Sequence, residues 1–287
     1  MHAPGCPGTA GIFGYNREVA VLLNGKATPR LLAEGTPAPG ATIKSARELE
    51  SMRAAGRVVA LTVRTLLEAL QPGITTRELD RIARKEIKAL GAKPSFLGFR
   101  GYPAVICVSI NEEIVHGIPG DRVIRDGDLV KIDAGAIVDG FHGDHAVSAV
   151  AGNATPEIQE LVEVTRTALE KGIAAVRAGG RIGDISAAVE SFVRPRGYEL
   201  GREYVGHGIG RKLHEPPQVP NIGPGAQGPV LRPGMTLAIE PMVNLGGWQT
   251  RVLEDGWTVV TADGRLSAHF EHTVAVTDGS PEVLTAC

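Results

Sequence analysis

Three acidic residues interrupt apolar runs in this chain: Asp133 in VKIDAG, Glu240 in LAIEPM and Glu271 in HFEHTV. A carboxylate inside an apolar strand costs free energy unless something cationic neutralises it, and few basic residues stand near these three in sequence. A fourth acid, Asp144, follows the dipeptide Asp139-Gly140, a two-residue type I′ turn signal. With Val138 paired to Phe141, Asp144 falls opposite Gly135 and diagonal to Asp133 on one sheet face, roughly 7–8 Å apart at the backbone. The stretch YVGHGIGRKLHEPP, read as a Gly- and Pro-rich loop, adds His207 and His214; such loops carry function more often than packing. Singly, each residue has an ordinary reading, because strand acids face solvent or form ion pairs and loop histidines are surface. Together, four carboxylates and the His207 imidazole suit two divalent cations, and this donor set admits Mn, Fe, Co or Zn. Two such ions roughly 3.5–4 Å apart generate a hydroxide nucleophile at neutral pH and clamp a tetrahedral oxyanion. The reaction class is metal-assisted hydrolysis; the residues alone do not say which bond is cut.

Helices and strands must bring these residues together. The periodicity predicts a helix over 45–70, with Ser45 as N-cap and Glu48 closing a capping box, and a second over 75–91 with a Thr75/Glu78 box. Strands follow at 104–110, at Leu129–Val138 and on to Val150. Thr155-Pro156 opens a helix to about Val176, with proline at N1, and Ile182–Val193 is a fourth. The rest is strand-rich, and in 267–276 strict alternation sets Glu271 on one face with Thr273 and Ala275. Helix–helix–strands occurs twice. LQPGITTRELDRIA from Leu70 aligns with VRAGGRIGDISAAV from Val176 at an offset of 106, and RDGDLVKID from Arg125 with RPGMTLAIE from Arg232 at 107. Two similar αβ halves, about 42–152 and 153–287, would then present Asp133 and Glu240 symmetrically to one cleft.

The chain has 287 residues, net charge −2 and a sequence pI near 6.5, against a general nucleic-acid footprint. No apolar run nears the ~18 residues that span a bilayer. Three separated cysteines, Cys6, Cys107 and Cys287, make no disulfide framework and fit a reducing compartment. Residues 1–41 are rich in Gly and Pro and read as an extension or linker, with one short strand at 18–23 and no signal-peptide pattern.

Read together, NEEIVHGIPG, VKIDAGAIVDGFHGDHA, YVGHGIGRKLHEPPQVPN, LAIEPMV and LSAHFEHTVAVT resemble type I methionine aminopeptidases, over about residues 43–277. The resemblance implies the α+β pita-bread fold of the creatinase and aminopeptidase group, an internally duplicated pseudo-twofold αβ domain with antiparallel sheet. It implies removal of the initiator methionine from nascent chains with a small second residue. Asp133, Asp144, His207, Glu240 and Glu271 match the five ligands of two divalent ions, with Asp144 and Glu271 as bridges. Glu240 matches the general base, His214 the imidazole that stabilises the tetrahedral oxyanion, and His116 the one that contacts the scissile amide. Phe99, Tyr102, Cys107 and Trp257 match the lining of the methionine pocket. Asn111 and Ser267 match a structural site for one Na or K ion. Leu213 departs from the pattern, since an aromatic residue usually precedes that histidine, and the departure concerns the fine shape of the pocket. The same resemblance implies a cytoplasmic monomer that works on nascent N-termini with a possible ribosome association, and no nucleic acid or membrane.

Two other readings compete. X-Pro aminopeptidases and prolidases share fold and ligands, but they usually carry a sizeable domain ahead of the catalytic half and lack NEEIVHGIP and DGW in this form. A pita-bread binding protein without metal would not need all five ligands.

Overall fold

In the computed structural model residues 40–286 are described, and the extension with its expected strand at 18–23 lies outside them. In chain order the elements are α1 (Ala46–Ala69), α2 (Thr76–Ala89), β1 (Lys93–Pro94), β2 (Ile106–Ile110), β3 (Glu113–Val115), β4 (Leu129–Val138) and β5 (Phe141–Val150). The second half runs α3 (Pro156–Ala174), α4 (Ile182–Val193), β6 (Glu199–Leu200), β7 (Gly206–Gly208), β8 (Glu215–Val219), β9 (Thr236–Ile239) and β10 (Met242–Asn244). It closes with β11 (Thr250–Val252), β12 (Val259–Thr261), β13 (Ser267–His269), β14 (Glu271–Ala275) and β15 (Glu282–Val283).

The helix starts follow their caps. Ser45 accepts from Glu48 N while Glu48 reaches back to Ser45 N, a complete box. Thr75 also accepts from its N3 amide, but the Glu78 carboxylate pairs with Arg81 instead, so that expected box is only half formed. Thr155 caps α3 with Pro156 in its first turn.

An antiparallel sheet carries the fold, in the order β1-β4-β5-β14-β9-β7-β8, with β2 added to β4 and β15 to β14. Beneath one part of it α1 and α2 bury Val59, Val63, Leu66 and Leu79 against Ile106 and Ile132. Beneath the other, Leu169 and Ile185 of α3 and α4 meet Leu237 and Ile239. Burying each such side chain contributes about 1.5–3 kcal/mol. The internal repeat is visible in the backbone bonds. Thr75 bridges Val123 as Arg181 bridges Val230, partners displaced by 106 and 107 residues. Gly73 N donates to Ile124 O as Gly179 N donates to Leu231 O, with the same displacements.

Two expectations are corrected. The strand over 267–276 is two strands in different sheets, broken at Phe270. The partner segment carries Pro241, which has no N–H to continue a ladder, so β9 stops at Ile239 and β10 resumes at Met242 in the other sheet. His207 lies on the short strand β7, paired to β8 and β9, rather than in a loop.

Candidate metal centre

The sheet register builds the centre. Asp139 and Gly140 take positive φ (51° and 78°), as a type I′ turn needs, and Gly135 falls opposite Asp144. Asp133 stands opposite Ala146, and Ala146 opposite Glu271 on the next strand. The β9–β14 register pairs His272 with Ile239, so Glu240, one residue past the end of β9, comes level with Glu271. His207 pairs with Ala238, two residues from Glu240 and therefore on its face. Five residues from five strands or strand ends thus share one sheet face. Atoms of Asp144, His207 and Glu271 all lie within 4.8 Å of one another, the spacing of a metal-holding group.

The electrostatics need a cation. Asp133 Oδ1, Asp144 Oδ1 and Glu271 Oε1 are buried without a hydrogen-bond partner. Burial raises the carboxyl pKa of all four acids, and for Asp144, Glu240 and Glu271 their mutual repulsion raises it well above the ordinary range. Buried polar groups are nearly always partnered; here the partner that fits is a divalent ion. His207 Nδ1 lies 2.9 Å from Gly208 O. A carbonyl can only accept, so Nδ1 carries the proton and Nε2 offers a lone pair, the tautomer of a ligating histidine. That Nε2 stands 3.5 Å from Glu240 Oε1. Burial holds the His207 pKa down at about 4, which keeps the ring neutral.

Two more imidazoles flank the cluster. The His214 ring lies edge-on to His207 at 4.2 Å and to Phe99 at 5.2 Å between centroids. Burial first, then His207, His116, Arg100 and His142, push its pKa to about 2. His116 packs edge-on against Tyr204 and Trp257, and burial lowers its pKa to about 4. Both rings are therefore neutral near pH 7. Phe99, Tyr102, Cys107 and Trp257 fall in one apolar cluster together with Leu213 and Phe141. The Tyr102 hydroxyl is turned away to the carbonyls of Ile106 and Gly117, 3.1 and 3.0 Å away, leaving an apolar ring face beside Trp257. Burial raises the Cys107 thiol well above its usual range, which disfavours the thiolate.

Sequence reasoning missed several neighbours. His269 is buried, its Nε2 unpartnered and 4.0 Å from Glu240 Oε2. The Ser148 hydroxyl bonds both its amide and its carbonyl. Read straight through Phe270, the alternation over 267–276 sets His269 on the face of Glu271, a signal that could have pointed to it. Glu215, next to His214, is held by Lys44 at 3.0 Å and by Thr42 at 2.6 Å, a tether between distant segments with no signal in either one alone. Asn111 and Ser267 meet, since Ser267 N donates to Asn111 O at 3.2 Å. The same carbonyl also accepts from Lys131 Nζ at 2.8 Å.

A duplicated antiparallel αβ fold with this carboxylate–histidine face suits a metal-dependent hydrolase. The profile of metallopeptidase family M24 matches residues 50–278, and the chain belongs to that family. Within it, the chain is 51% identical over 242 residues to methionine aminopeptidase 1 of Bacillus subtilis, covering 84% of this chain and 98% of that protein. Methionine aminopeptidase 1 of Mycobacterium tuberculosis is 49% identical, with 84% and 94% covered. The crystal structure of the methionine aminopeptidase from Thermotoga maritima superposes with a TM-score of 0.85 at 46% identity, over 86% of this chain and all of that one. A prolidase from Pyrococcus furiosus has a TM-score of 0.70 at 23% identity, over 85% of this chain and 65% of that one, a likeness of fold alone. Among the described residues no helix is long and apolar enough to cross a membrane.

Proposed function

We propose that Asp133, Asp144, His207, Glu240 and Glu271 hold two divalent metal ions, with Asp144 and Glu271 shared between them, and that this centre serves the removal of an N-terminal methionine ahead of a small second residue. One observation carries the metal reading: three buried, unpartnered carboxylate oxygens beside a histidine whose free lone pair faces them. The peptide-bond reading is supported by relatives named methionine aminopeptidase at about half identity over nearly their whole length. The donor set suits Co, Mn, Fe or Zn. Bound ions would acidify water and polarise the scissile carbonyl.

The chain's own groups do the rest. Glu240 takes a proton from the attacking water and passes it to the leaving amine. His214, neutral, donates a hydrogen bond to the oxyanion instead of acting as an acid. His116 contacts the scissile amide. Phe99, Tyr102, Cys107 and Trp257 receive the methionine side chain, whose thioether packs well against aromatic rings. Leu213 enlarges the aliphatic share of that pocket. The same reading makes the partners nascent N-termini, with the chain as a cytoplasmic monomer able to work beside the ribosome.

Turnover of Met-Ala-Ser, Ala-Pro and Phe-Pro before and after chelation tests it. Hydrolysis of Met-Ala-Ser alone, lost with chelator and restored by metal, is expected. Turnover of only the proline peptides would establish the X-Pro alternative instead.

A further inference from the structure

Lys131 has no part in the proposed reaction, yet it is among the largest fully buried side chains, 1% exposed. It stands on β4 one pleat from Asp133. Among the described residues no carboxylate oxygen lies within 4.0 Å of it; Glu113, Glu112 and Asp128 act on it from farther away. Its Nζ instead donates to two backbone carbonyls, Asn111 O at 2.8 Å and Leu129 O at 3.4 Å. Each of these oxygens already accepts one amide, Ser267 N on Asn111 O and Asn111 N on Leu129 O. The ammonium therefore takes the second lone pairs where three chain segments meet. Nearby on paired residues of β10 and β13, Ser267 Oγ and Asn244 Oδ1 are buried without a partner, and Nζ bonds neither of them. Converging neutral oxygens without a carboxylate are the surroundings of a weakly hydrated monovalent ion, not of an ordinary lysine ion pair.

We infer that Lys131 is a tethered monovalent cation: its ammonium takes the second lone pairs of Asn111 O and Leu129 O, so that this chain needs no sodium or potassium ion at those carbonyls. This revises the expectation of a Na or K site at Asn111 and Ser267. The cation joins the Asn111 turn, which has positive φ (58°) and leads through β3 to His116, to the strand of Asp133. Lys131 is thus a positioning residue, and the inference does not depend on which peptide is cut. The test is run at pH 6, below the ordinary lysine range.

Thermal unfolding and Met-Ala-Ser turnover are measured in NaCl, KCl and choline chloride at equal ionic strength with the divalent metal held constant. The wild type should show the same midpoint and rate in all three salts. Lys131→Ser, which leaves the oxygens without their cation, should be less stable in choline and recover several degrees in Na or K, saturably, as a ligand that binds only the folded state requires. Lys131→Met, which fills the volume without charge, should recover in neither. A wild type stabilised by Na or K over choline, or a Lys131→Ser variant that gains from neither ion, overturns the inference. Sodium-23 relaxation on the wild type decides the matter even if the variants do not fold: saturable sodium binding refutes the inference, and its absence supports it.

Discussion

His207 Nε2 and Glu240 Oε1 stand 3.5 Å apart on neighbouring strand segments, one a lone pair and the other a carboxylate oxygen. With no cation between them, two acceptors face each other unless the carboxyl keeps its proton. Burial and the neighbouring acids raise the Glu240 pKa well above the ordinary range, and burial lowers that of His207 to about 4. A divalent ion removes this conflict and lets both groups act as ligands.

Metal-free protein should therefore lose stability as pH rises. A carboxyl whose folded pKa is raised holds more protons folded than unfolded, so stability falls from about pH 4 upward through the raised value. Asp133, Asp144, Glu240 and Glu271 all shift in that direction. The buried neutral histidines oppose this trend below their unfolded value of about 6.5, so melting curves are read from pH 7 to 9, where they should decline in EDTA and hold level or rise with Mn or Co, because binding requires deprotonated ligands. Matching profiles with and without metal would remove this cluster as the metal site.

Glu240→Gln should reduce kcat on Met-Ala-Ser by about 10²–10⁴-fold, the range of a lost general base. Asp144→Asn should disturb both ions at once, leaving well under two equivalents of metal by elemental analysis. Full activity in the first variant, or full metal content in the second, contradicts the assigned roles.

His214→Ala should lower kcat by about 10²–10³-fold with little change in KM, as expected for a donor that meets only the oxyanion. Because its pKa is near 2, the pH–rate profile of the wild type should show no limb belonging to this residue. A variant that raises KM alone would move His214 to ground-state binding.

Gly143 lies between His142 and Asp144, where β5 crosses Gly56 of α1. A Cβ at Gly143 would meet Gly56 N at 2.8 Å, and one at Gly56 would meet Leu284 O at 2.1 Å. Backbone cannot yield as a side-chain tip does. Gly143→Ala should cost about 1–3 kcal/mol, an overpacking penalty, read from urea unfolding of the metal-loaded protein, and should weaken metal binding through Asp144. An unchanged midpoint would show that α1 can move away freely.

Local structure and the residues that gather at the centre were legible in the chain. The caps at Ser45 and Thr155, the Asp139-Gly140 turn and the alternation in β4 are short-range physics, and they set the Asp133–Asp144 register correctly. The repeat was legible because both halves solve the same packing problem, and its duplicated bridges fall at the same displacements. Only the tertiary structure decided the rest. Pro241 breaks one ladder and sends β13 and β14 to different sheets, which depends on its meeting Phe270, distant in sequence. Glu240 and Glu271 come level only through that pairing, and the ligand tautomer of His207 depends on the position of Gly208 O. Nothing in the local pattern marks Lys131; its place among the carbonyls of Asn111 and Leu129 arises where three segments converge. Residue types and periods are written in the chain, whereas which unpaired atoms face one another is settled only by packing.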